Sequence, residues 1–181
     1  SVFKSQIPAM EKSDFLVMFE PVGATAQPIV ITQNEFMRRM KDMAAIQSGM
    51  AFYGELPDSY NLIVNTDHPL SQKVIADTES ACKSELTPIL DELKTVNEEI
   101  ERLQEAKKDK KDDEIPVADK EALKHAEEKA KELRAKESDI LKTYADRTPL
   151  VRQLVDLALL SNNMLKGEAL SKFIKRSVEM L

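Results

Sequence analysis

Two apolar seams set in a run of charge constrain this chain more than any other feature. Leu86, Ile89, Leu93, Val96, Ile100 and Leu103 follow one another in alternating steps of three and four. Leu123, Ala126, Ala130, Leu133, Glu137, Ile140 and Tyr144 repeat that alternation. Such spacing keeps one narrow stripe of a helix apolar, the heptad arrangement of helices that pack along a seam. Between the seams lies EAKKDKKDDEIPVADKEA, where Pro116 interrupts any helix and Asp119 offers a cap for the next. The pattern predicts a hairpin of two antiparallel helices, the first of about 20 residues and roughly 30 Å long. More than half of the chain's charged residues fall between Asp91 and Arg147. Most of this arm must therefore face water, with a thin apolar seam inside.

The pattern changes on both sides of the arm. DFLVMFE (14–20), IVIT (29–32) and YNLIVN (60–65) read as strands, with the Pro- and Gly-bearing loop PVGATAQP between the first two. Thr32 or Asn34 can cap a helix that starts near Glu35, runs to about Gln47 and stops at Ser48-Gly49. After the arm, Thr148-Pro149 is a cap followed by a first-turn proline. LVRQLVDLALL (150–160) is apolar over more than half of its circumference and needs partners on two sides. GEALSKFIKRSVEML closes the chain with Leu170, Phe173, Ile174 and Leu181 on one face. Two such helices carry more apolar surface than they can hide alone, and a two-fold dimer pairing them into a four-helix bundle would hide it. The expected class is α+β. A small three-stranded sheet with an amphipathic helix spans 1–85, an inserted charged hairpin spans 86–147, and dimerisation helices span 148–181.

Composition narrows the function. The apolar fraction of 42% permits a core, and aromatics at 5% make it an aliphatic one. A net charge of −6 argues against a general nucleic-acid binder, because phosphate contacts need clustered basic charge. No long uncharged apolar run suggests a membrane span, and the lone cysteine, Cys82, fits a reducing compartment. The expectation is a cytoplasmic protein. The opening SVFKSQIPAM, without an initiator Met, suggests a piece of something larger.

Chemistry is sparse. No phosphate-binding glycine loop, paired-cysteine metal motif or nucleophile elbow is present. His68 stands beside Asp67 in NTDHPL, where a metal or general-base role competes with a polar turn that bonds its own backbone. The turn is the better reading, since neither Cys82 nor His125 lies nearby in sequence. No catalytic, cofactor or metal residue is expected. FMRRMKDMAAIQSGMAFY instead draws attention to methionine. On a helix Phe36, Met40, Met43 and Ala44 share a face with Met37 at its edge, and Met50 and Phe52 continue the apolar run. Core packing is one reading. The other is a docking surface for unfolded chains, because methionine side chains are flexible and polarizable and adapt to varied partners.

The segments MRRMKDM, YNLIVNTDHPL and LVRQLVDLALLSNNMLKGEALSKFI, in this order, resemble the C-terminal domain of the heat-shock protein 90 chaperones in their bacterial form. The resemblance implies a domain that joins two chaperone protomers and shares in binding client proteins. It places the client-facing positions on Phe36, Met40 and Met43, with Met37, Met50 and Phe52 added from periodicity. It places the dimer positions on Leu150, Leu154, Leu157, Ala158, Leu160, Leu170, Phe173, Ile174 and Leu181. ATP and Mg would belong to other domains of the parent, so this chain is expected to be no enzyme. The arm is longer than the family's usual connection, and nothing of the family's function extends to it. The chain closes on SVEML, without the acidic EEVD tail of eukaryotic members. The rival class is a coiled-coil scaffold built on the arm.

Overall fold

The computed structural model describes residues 1–10, 13–33, 35–44, 46, 56–108 and 116–180. It divides into two compact units, one of residues 1–77 with 145–181 and one of residues 78–144.

The first unit is built on three strands, β1 (Ser13–Glu20), β2 (Ile29–Gln33) and β3 (Asp58–Asn65). β3 is central, parallel to β1 and antiparallel to β2. In register, Val17, Leu62 and Ile31 form one row and Phe19, Val64 and Ile29 the next. These rows belong to the core face, where Ile29, Ile31, Leu62 and Val64 are buried. Alternation of side chains across the pleat sends Leu16, Met18, Ile63 and Val30 to the opposite face. Helix α1 (Glu35–Ala44) starts where the sequence predicts. Beyond it Ile46 donates its N–H to the Met43 carbonyl in a turn.

The second unit is the helical hairpin. Helix α2 (Pro69–Glu105) begins in the first unit and α3 (Val117–Asp146) ends there. The helices are antiparallel: Glu92 pairs with Lys129 at 2.7 Å, while Glu99 shares a shallow hollow with Ala122. Leu93, Val96, Ala126, Ala130 and Leu133 form the buried seam, with Ile89 and Ile100 packed against it. These are the heptad positions. Two boundaries differ from expectation. α2 starts at Pro69 rather than near Leu86, and Pro88 stands inside it. Proline removes one backbone donor, leaving the Ser84 carbonyl without its usual partner, yet the apolar spacing on both sides carries the helix through. The cap of α3 is Pro116 rather than Asp119. The Pro116 carbonyl accepts the N–H groups of Asp119 and Lys120, and Asp119 sits in the first turn, where its charge suits the helix dipole.

Helix α4 (Pro149–Ser161) returns to the first unit and packs against β2, a 3-10 turn (Lys4–Gln6) and helix α5 (Gly167–Glu179). It ends in a Schellman motif: Met164 N–H bonds the Leu159 carbonyl at 2.8 Å and Asn163 N–H the Leu160 carbonyl at 3.0 Å. Asn163 takes the left-handed φ of 57° that this cap requires.

Candidate functional site

The sharp turn after β3 gathers the residues of NTDHP into a hydrogen-bonded cluster. Asn65 is fully buried and uses its whole amide. Its Oδ1 accepts the N–H groups of Val22 and Asp67, and its Nδ2 donates to the carbonyls of Gly23 and Gln27. Asp67 Oδ2 accepts the Gly23 N–H at 2.9 Å, and Gly23 holds a φ of 104° that disfavours any side chain. His68 Nδ1 accepts the Leu70 N–H at 3.1 Å, at the start of α2. Ser71 Oγ donates to the Pro28 carbonyl. The cluster is a clamp on the loop between β1 and β2. Among the described residues no three His, Cys, Asp or Glu side chains are placed to hold a metal ion.

Helix α1 presents the methionine surface. None of its described residues is buried. Phe36 is 64% exposed and Met43 41%, while Met37 and Met40 are half-buried. Ile46, just beyond the helix, is 85% exposed. Lys41 tethers the helix to Asp58 of β3 at 2.7 Å. Glu35 holds both Arg38 and Arg39 at 3.0 and 2.9 Å, which keeps its carboxyl below the usual carboxylate range. α1 thus lies beside β3 with an apolar surface open to solvent. Met50 and Phe52 lie outside the described residues.

The closing helices share their apolar residues unequally. Leu154 and Ala158 are buried inside a single chain, among Val151, Val155 and Leu159. The two sides that α4 needs covered are therefore covered largely from within, by the sheet and α5. Leu154 and Ala158 therefore have little surface left to offer another chain. Leu157 is 43% exposed and Ile174 54%, and Leu150, Leu160, Leu170 and Phe173 are half-buried. Val178 and Met180, which the sequence reading did not single out, are also exposed. No described residue of α5 is buried. Leu181 lies outside the described residues.

Beneath this surface is an ionic network that sequence reasoning missed. Asp156 is 1% exposed. Its Oδ2 accepts from Arg152 Nε at 3.1 Å and from Arg176 of α5. Arg152 also donates to the Gln6 carbonyl at 3.0 Å, and Gln6 Nε2 donates to Asp146 Oδ1. Gln153 Nε2 donates to Ser177 Oγ at 2.6 Å. The network ties the N-terminal turn, α4 and α5 together. The signal was available: an acid inside an apolar stripe, with an arginine four residues before it and another in the following helix.

No protein-family model matches the chain, and no solved structure matches it. Curated relatives do. The chain is 48% identical over its 181 residues to "Chaperone protein HtpG" of Bacteroides thetaiotaomicron. It is 49% identical over 181 residues to the protein of that name from Bacteroides fragilis strain 638R. To that of Porphyromonas gingivalis ATCC 33277 it is 46% identical over 180 residues. The chain spans 27%, 27% and 26% of these relatives' lengths, and the part matched is their C-terminal region.

Proposed function

The chain belongs to the heat-shock protein 90 family in its bacterial HtpG form, and from that premise we propose that it is the C-terminal dimerisation and client-binding domain of an ATP-dependent chaperone. The observation that carries the reading is the similarity to HtpG chaperones along all 181 residues. Two features support its finer parts. An amphipathic helix with no buried described residue offers Phe36, Met40 and Met43 to an unfolded client. A second helix with the same property, α5, offers Ile174 and Val178 to another copy of the chain, and α4 offers Leu157.

The mechanism is adhesion without chemistry. Burying an aliphatic side chain completely contributes about 1.5–3 kcal/mol. Leu157, Ile174 and Val178 from two copies begin about half exposed. Together they contribute on the order of 5–9 kcal/mol, within the range of association costs, about 4–15 kcal/mol. Half-buried Leu150, Leu160, Leu170 and Phe173 at the rim would supply the surplus. Nucleotide and Mg2+ binding, and hydrolysis, would reside in parts of the parent outside these residues, in the cytoplasm. Among the described residues no helix is long and apolar enough to cross a membrane.

Two variants test the reading. Phe36→Ser with Met43→Ser should weaken binding to an unfolded polypeptide at least fivefold and leave the melting temperature nearly unchanged; a large drop in melting temperature would assign these residues to the core. Ile174→Glu with Val178→Glu should halve the mass seen by light scattering, and an unchanged dimer would remove α5 from the interface.

A further inference from the structure

We propose that the open edge of β1 captures extended polypeptide by strand addition, and that it selects apolar segments flanked by basic residues. The inference deepens the client-binding reading above and rests on it, but it uses a surface separate from the methionine helix.

β1 is paired by β3 on one side, and no described residue pairs it on the other. The direction of its backbone groups follows from one bond. The Glu20 carbonyl accepts the N–H of Thr66, just after β3, at 3.0 Å. Backbone groups alternate along a strand, so those of Asp14, Leu16, Met18 and Glu20 serve the ladder to β3. The N–H and C=O groups of Phe15, Val17 and Phe19 point outward. Ser13 at the start of the strand already donates its N–H to Met10.

Edges like this are normally protected by shortness, Pro, Lys or a covering element. β2, the other edge, is five residues long and has α4 packed against it. β1 has eight residues, no Pro and no Lys, and five consecutive apolar side chains from Phe15 to Phe19. Leu16 is 59% exposed and Phe19 48%. An added strand would therefore meet apolar neighbours on both faces, and an extended backbone can pair the whole outward row of donors and acceptors in place of water.

Charge decides between a client and a second copy. The apolar run is bracketed by Asp14 and Glu20. Antiparallel self-pairing centred on Val17 sets Asp14 of each copy against Glu20 of the other. In-register parallel pairing sets each acid beside itself. Like charges directly opposite destabilise a sheet pair. A strand with a basic residue at each end meets the same two acids favourably.

The test uses the 181-residue chain and a labelled peptide, Lys-Thr-Val-Ile-Val-Thr-Lys, read by fluorescence anisotropy. Binding should weaken at least tenfold when the peptide's amides on the β1-facing edge are N-methylated, and stay unchanged when the other alternate amides are. Glutamate in place of both lysines should also weaken it. Val17→Pro removes an outward N–H and spares the ladder to β3, and should cost about tenfold; if circular dichroism shows it unfolded, the methylated pair decides alone. Absence of binding, or equal binding of both methylated peptides, overturns the proposal. So does a loss of solution mass on Val17→Pro, which would assign the edge to self-association. The Phe36→Ser, Met43→Ser chain separates the two readings. If it loses unfolded polypeptide while the methylated peptides do not differ, the edge alone is refuted. If it keeps unfolded polypeptide while the methylated peptides differ as stated, the helix alone is refuted.

Discussion

Asp156 shows how much one side chain can organise. It is almost fully buried, and its Oδ2 is shared by guanidinium groups from two helices. Removing one partner of a buried pair leaves the others uncompensated, which costs about 3–5 kcal/mol when all are sealed. Arg152 and Arg176 retain 30% and 24% of their side-chain exposure, so water recovers part of that. Asp156→Ala should therefore lower unfolding stability by about 2–3 kcal/mol, measured by urea titration. Cys82 makes a different kind of prediction. Burial pushes its thiol up, with Glu85 adding to the effect, and the thiolate is the nucleophile. Iodoacetamide at neutral pH should alkylate it at least tenfold more slowly than a free cysteine, and denaturant should abolish the protection. Neither residue was legible as important from sequence. An Asp within LVDLALL reads as a gap in an apolar stripe until Arg152, four residues before it, and Arg176 in the following helix are set beside it.

At the scale of elements, the hairpin was the most readable part. Its seam needs only periodicity, and every buried residue of the seam falls on a heptad position. The three strands were legible to within one or two residues, since β-formers bounded by Pro, Gly and Asn leave little choice. What escaped was the start of α2. SQKVIADTESACKSEL has a weak apolar rhythm and Pro88 suggests a break, so local signals understate a helix secured by the turn at Asn65 and by its own hairpin. The closing helices were legible as elements but not in their allegiance, because sequence cannot say that Leu154 and Ala158 are buried within the chain itself. α1 carries a pH prediction. Arg38 and Arg39 lower the Glu35 carboxyl relative to the unfolded chain, so its stabilising effect is complete above the ordinary carboxylate range. That effect disappears as pH falls through the lowered folded value. Acid titration should loosen α1 in that window, and Glu35→Gln should erase the effect; amide exchange reports both. Replacing residues 78–144 by a glycine linker should leave the other unit folded and associated, by circular dichroism and sedimentation. Loss of association would instead favour a scaffold built on the arm.

For the whole molecule, self-association leaves a thermodynamic trace. If two copies fold together, mass action raises the melting temperature with protein concentration; a hundredfold dilution should lower it by several degrees, and calorimetry at two concentrations checks this. The order of parts along the chain has its own consequence. The first unit is assembled from residues 1–77 and 145–181, with Gln6 bonded to Asp146 and Arg152, and the hairpin is encoded between them. During synthesis a ribosome that has just delivered the hairpin has released a piece able to zip up from local contacts. The sheet, meanwhile, still waits uncovered for α4 to leave the exit tunnel. For that interval the nascent segment exposes the kind of sticky, half-made surface that protein-folding helpers attend to.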